Sequence, residues 1–231
     1  MIKLFTYIIA HDTGFAPCYD NGIFSLACCK PRIRRSVYRE IDKYDSVWIC
    51  GVKRKEKKPF IVYLAKIDKA VLLYEYYNNN EYLKRRDCVY RNLSEKYTEF
   101  SKGKISAEEL KREHPFLKSI NNPHGNFKDY NEFDGLDSYK KELIIKDISG
   151  LSVLLSQNFV HCSLHDDLNI IIPKFFKDVL KDYENVHVRG KNYELEDEIF
   201  ANLDLSERKR ILTPDERKCY KCDKLKTRGR C

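Results

Sequence analysis

The sequence predicts an α+β protein built on a small curved mixed sheet or small barrel with flanking helices. Three observations carry that reading. Strand-like runs follow one another closely in the N-terminal third, so their links suit antiparallel or mixed pairing. Further short apolar runs recur after residue 140. Near the C-terminus the apolar spacing changes to a helical period.

Residues 2–10 (I-K-L-F-T-Y-I-I-A) are rich in β-branched and aromatic side chains and predict a buried first strand. Asp12, Gly14, Pro17, Asp20, Asn21 and Gly22 then punctuate a turn-rich passage. Residues 23–29 are small and apolar, and Pro31 reads as a stop to regular structure. Strands are predicted at 46–52, 59–67 and 70–76, joined by K-R-K-E-K-K and by Asp68-Lys69. Ser106 and Glu109 have the spacing of a capping box, which predicts a helix over 106–114. The run N-N-P-H-G-N at 121–126 is too rich in breakers to be anything but a loop. E-L-I-I-K-D-I, L-S-V-L-L-S and N-F-V-H-C-S read as three more strands. Residues 174–184 put Phe175, Phe176, Val179, Leu180 and Tyr183 on one helical side, and a charged helix is expected over 195–203. One domain over 1–205, with a variable insert at about 78–141, and a basic cysteine-bearing tail over 206–231 complete the expected organisation.

The 231 residues are 42% hydrophobic and 34% charged, a globular composition that argues against disorder. No stretch approaches the roughly 20 apolar residues of a membrane span, and the short N-terminal run lacks a cleavage site. Nine cysteines without a secretory signal imply reduced thiols in the cytoplasm. The net charge of +8 is concentrated in two zones. Residues 30–58 carry eleven Lys/Arg against four Asp/Glu, and residues 206–231 carry ten against four. Two basic zones on a mildly acidic body suit a polyanionic partner.

Four constellations could carry chemistry. Around the end of the first strand, His11 and Asp12 could act as acid and base or read a base or ribose. There Gly14 frees the backbone, and Phe15 could stack on a base. In the second, Lys30, Arg32 and Arg34 alternate. On an extended backbone they would face one way at about 6–7 Å intervals, near the phosphate repeat of a nucleic-acid strand. Cys28 and Cys29 beside these cations raise a nucleophile reading, with His11 as the partner in a Cys–His pair. The fourth is the tail, where Cys219 and Cys222 are half of a zinc site, with Cys231 ending the chain and a fourth ligand to come from His187 or a second subunit. No other cofactor is predicted. P-loop, dinucleotide-binding and nucleophile-elbow motifs are absent.

Taken in order, Asp12-x-Gly-Phe-Ala-Pro, Leu26-Ala-Cys-Cys-Lys-Pro-x-Ile-Arg34 and Trp48-Ile-Cys-Gly51 resemble the second family of nucleotide-modification-associated domains of bacteria and phages. Val153–Val160 and Val188–Lys191 look similar to it as well. The likeness spans roughly residues 2–76 and 143–191. Cys18-Tyr19 and Ser46-Val47 depart from the family's usual Asn-Pro and Gly-Asp. The resemblance implies a link to nucleotide or DNA base modification and to phage–host conflict, without a settled reaction. The strand–Trp48-Ile-Cys-Gly–strand passage also resembles PUA-type barrels at the level of fold, which would make the barrel a PUA-like one.

The leading expectation is a module that binds a nucleotide or a modified base in nucleic acid. Asp12, Gly14, Phe15 and Trp48 would hold the base, and Lys30, Arg32, Arg34 and Arg189 the phosphates. An enzyme using Asp12 or His11 as acid/base is the alternative. A protein-interaction component of a defence or counter-defence system is the third reading.

Overall fold

The computed structural model describes residues 1–9, 15–55, 58–96, 99, 102–106, 108–109, 117–161, 175–184 and 189–196. The chain divides into two compact units. Unit 1 comprises Met1–Gly14, Glu40–Asp68 and Ser156–Cys231, and unit 2 comprises Phe15–Arg39 and Lys69–Leu155.

Unit 1 is a five-stranded mixed sheet in the order β10-β1-β3-β4-β9. Its strands are β1 (Ile2–Ile8), β3 (Ser46–Lys55), β4 (Lys58–Lys66), β9 (Asn158–His161) and β10 (Gly190–Leu195). β1 runs parallel to β3 and antiparallel to β10, and the other two pairings are antiparallel. The parallel pair needs a long crossover, which residues 9–45 supply. A register shift between Gly51 and Val52 marks a bulge, a feature that bends a strand. A Cβ at Gly51 would collide with the Ile9 and Tyr63 side chains, so glycine is required there. Helix α5 (Phe175–Asp182) buries Phe176 and Val179, with Tyr183 just beyond its end, in a cluster with Leu4, Trp48, Cys50, Leu64 and Val160.

Unit 2 holds a three-stranded sheet in the order β2-β8-β5, formed by β2 (Phe24–Leu26), β8 (Ser152–Ser156) and β5 (Lys69–Leu72). A two-stranded ribbon pairs β6 (Tyr90–Arg91) with β7 (Lys118–Ser119). Its helices are α1 (Pro31–Glu40), α2 (Leu73–Asn78), α3 (Tyr130–Asp134) and α4 (Ser138–Ile148). The core is rich in tyrosine: Tyr76 stacks on Tyr82 at 4.6 Å, and Tyr77 meets Tyr90 edge-on at 5.1 Å. Cys88, Val89, Leu93, Leu117, Phe127 and Phe133 fill the same cluster, so residues 82–133 supply much of this core.

The mixed α+β class and the curved-sheet option hold. The PUA-like barrel does not, because none of the three sheets closes on itself among the described residues. Other corrections are local. Residues 31–40 are helical rather than extended: Pro31 opens α1, where its missing N–H costs nothing and its fixed φ suits the helix. E-L-I-I-K-D-I belongs to α4, whose N-cap Asp137 accepts from the Lys140 N–H. The run expected as a strand over 70–76 passes into α2 after Leu72. Ser106 and Glu109 do exchange the two bonds of a capping box, while residues 110–116 lie outside the described residues. Leu195 closes β10, and the helix expected beyond it lies outside them from residue 197.

Candidate active site

The strand–turn–helix formed by β2, residues 27–30 and α1 places Cys29 at its bend. Cys29 and Lys30 both have positive φ, 57° and 43°, a region that L-residues with a Cβ enter at a cost of about 1–2 kcal/mol. Both sides of the Cys29 residue are pinned. Its N–H donates to Asp147 Oδ1 at 2.6 Å, and its carbonyl accepts from Arg34 Nε at 2.9 Å.

Arg34, fully buried, donates in addition to the Ser152 carbonyl at 2.8 Å and to the Asp147 carbonyl. A Cβ at Gly150 would overlap the Arg34 guanidinium, so glycine there makes room for it. Arg34 therefore clamps three segments of unit 2 through backbone carbonyls. The expectation that it holds a phosphate does not fit a guanidinium committed in this way.

His124 stands in the loop 120–126, which its own side chains shape. Asn122 Oδ1 accepts from the His124 N–H at 2.9 Å, Asn126 Oδ1 accepts from the Asn122 N–H at 2.9 Å, and Gly125 adopts a φ of 144°. Asx turns of this kind replace backbone pairing in tight loops. The loop aims His124 Nδ1 at Asp147 Oδ2, 2.8 Å away, with both side chains buried. Tyr90 donates its hydroxyl to the same oxygen at 3.1 Å. A proton on Nδ1 would be donated to this carboxylate, which orients the ring with Nε2 toward Cys29. Nε2 lies 4.0 Å from Cys29 Sγ, the outer limit for a contact to sulfur.

Cys29, His124 and Asp147 thus form a thiol–imidazole–carboxylate relay within unit 2. Phe15 meets the His124 ring edge-on at 6.4 Å. Lys30 is partly buried, and burial lowers its ammonium below the ordinary range, while the neighbouring Cys29 acts to raise it. Cys28 points inward: its thiol lies 3.3 Å from Tyr77 Oη, and burial pushes it well above the usual thiol range.

A second buried network stands apart from this relay. Asp87 accepts from Ser25 and Tyr76, and Arg85 donates to the Asp20 and Ile23 carbonyls and to Ser25 Oγ. Burial raises the Asp87 carboxyl above its usual range. With its members bonded to one another and to the turn at residues 20–23, it braces the segment leading into β2.

Of the residues singled out from sequence, the structure brings Phe15 and Cys29 together around His124, with Lys30 next to Cys29 in the chain. Arg32 is exposed on α1. There Arg32, Arg35 and Arg39 follow helical spacing, while burial and then Arg39, Arg32 and Arg34 lower the Arg35 guanidinium. Trp48 belongs to unit 1, is 3% exposed, and donates to Ser46 Oγ, so it offers no free face for a base. Arg189 is an exposed residue of unit 1 whose carbonyl accepts from the Ile8 N–H. His11, Asp12, Gly14, His187, Cys219, Cys222 and Cys231 lie outside the described residues. Among the described residues no group of His, Cys, Asp and Glu is arranged to hold a metal, and no helix is long and apolar enough to cross a membrane. Cys18, Cys28, Cys29, Cys50 and Cys88 are free thiols. Residue-by-residue reading missed His124 and Asp147; the first was visible only as the histidine of a breaker-rich loop.

Fold and site define the class: a mixed α+β protein in which a cysteine, a histidine and an aspartate stand in line within one unit. The family nucleotide modification associated domain 2 matches residues 1–219, and the chain belongs to it. That match runs through residues 78–141 and is wider than the N-terminal motifs alone suggest. No curated protein and no solved structure matches the chain.

Proposed function

We propose that the chain is an enzyme of nucleotide modification whose nucleophile is Cys29, with His124 as general base and Asp147 orienting it. One observation carries the reading: Sγ, Nε2, Nδ1 and Oδ2 follow one another at 4.0 Å and 2.8 Å across the ring. A buried imidazole that meets a carboxylate through Nδ1 and a thiol through Nε2 can take the thiol proton, which is how weak nucleophiles are activated. The strained φ of Cys29 adds support, since strain of this kind persists where surrounding structure holds a group for use.

Family membership, the Phe15 ring beside His124 and the adjacent Lys30 support a nucleotide or nucleobase as substrate. Arg32, Arg35 and Arg39 extend positive charge about 10 Å along α1, a length that suits more than one phosphate. That helix also favours the second reading, a module that binds a nucleotide or modified base without turnover.

Mass spectrometry on mixtures of the protein with mononucleotides and modified single strands separates the two. The enzyme reading expects a changed nucleotide with wild type and none with Cys29→Ser, which still binds. Salt-sensitive binding with no product from wild type would leave only the binding module.

A further inference from the structure

We propose that the Cys29 site opens an amide carried by a nucleotide, through a thioester on Cys29; the proposal rests on Cys29 being the nucleophile.

Three thiolate chemistries bear on this site, and each needs different neighbours. Disulfide exchange needs a second thiol to resolve the mixed disulfide. Among the described residues the adjacent thiol is Cys28, which is fully buried, directed at Tyr77 Oη and 3.9 Å from the Asp87 carbonyl. Addition to a ring carbon of a pyrimidine needs one group to protonate the ring and another to remove a proton from the adjacent carbon. Amide cleavage needs a single group that takes the thiol proton and then gives it to the departing nitrogen. His124 is built for that one-proton shuttle: Asp147 fixes Nδ1 and leaves Nε2 facing sulfur.

The step balances without an oxidant or reductant. Nε2 takes the Sγ proton, and sulfur bonds to the amide carbon. The carbon–nitrogen bond then breaks, and the amine leaves with the proton from Nε2. Water gives a proton to Nε2 and adds to the thioester. The carbon–sulfur bond breaks, and a carboxylic acid departs as the thiol is restored. Lys30 follows Cys29 directly and acts on it electrostatically, so a cation is at hand for substrate negative charge. The Cys29 N–H is not available for a developing oxyanion, because Asp147 holds it. The substrate class that fits Phe15, Lys30 and this shuttle is a nucleotide bearing an acylated amine on its base.

The full chain is treated with p-nitrophenyl acetate, N4-acetylcytidine monophosphate and N6-acetyladenosine monophosphate, and separately with iodoacetamide. Wild type is expected to gain one acetyl group mapped to Cys29 and to release acetate from at least one acetylated nucleotide. His124→Gln should acetylate about a hundredfold more slowly, and Cys29→Ser, which keeps the site's shape, should release no acetate. Iodoacetamide labelling of Cys29 that depends on His124, without acetylation or amide cleavage, overturns the acyl chemistry and leaves the nucleophile standing. Acetylation by the ester with both amides intact also overturns it. Absence of both labels removes the nucleophile and the proposal together.

Discussion

At Cys29 the backbone and the thiol have opposing requirements. A φ of 57° suits glycine, yet a cysteine occupies the position, held by Asp147 on its N–H and Arg34 on its carbonyl. The strain of about 1–2 kcal/mol is comparable with what glycine would lose in chain entropy. Cys29→Gly is therefore expected to change the unfolding free energy by less than about 1 kcal/mol in denaturant titration while abolishing turnover. A much larger loss of stability would mean that the thiol is there for packing. Cys29 could be singled out in the sequence because the cations beside it suggested a reactive thiol. The groups that the structure sets against it could not be, since His124 and Asp147 are 95 and 118 residues away and meet it only through folding. His11, the histidine nearer in sequence, lies outside the described residues.

The same limit operates on whole elements. Lys30, Arg32 and Arg34 alternate, and alternation reads as a strand. Helical geometry instead separates Arg34, which turns into the core, from Arg32, Arg35 and Arg39, which share a face. E-L-I-I-K-D-I is a short apolar run that periodicity cannot assign to strand or helix, and the cap at Asp137 lies upstream of it. By contrast, β1, β3 and β4 were legible as long β-branched or aromatic runs, and the shorter β8 and β9 because they flank the polar turn at residues 156–158. Helix α4 links core and site: Ile144 is fully buried and Asp147 lies three residues on. Ile144→Ala is expected to cost about 2–5 kcal/mol in chemical denaturation. It should also slow Cys29 alkylation under native conditions by loosening the helix that aims the carboxylate. Unchanged alkylation at that loss of stability would show that the relay is set independently of α4 packing.

At the scale of the molecule, both units bury groups that resist ionisation. Burial raises Cys50 in unit 1 and Cys18, Cys28, Tyr76, Tyr77 and Tyr90 in unit 2 above their ordinary values of 9.0 for thiols and 10.0 for phenols. Above those values the unfolded chain gives up protons that the folded chain retains. The associated stability is thus present at neutral pH and is lost as pH rises toward the folded-state values. Urea midpoints should fall steeply once pH passes the thiol and phenol range, and a flat alkaline profile would contradict the buried state of these side chains. The charge of +8 acts at the same scale, since it favours encounter with a polyanion whichever chemistry follows.

The relay itself is tested most directly by the rate at which iodoacetamide alkylates Cys29 near neutral pH, mapped by peptide mass spectrometry in wild type, His124→Gln and Asp147→Asn. The account predicts that both substitutions slow alkylation at least about tenfold while near-ultraviolet circular dichroism shows the fold retained. Equal rates in the three folded proteins would contradict it.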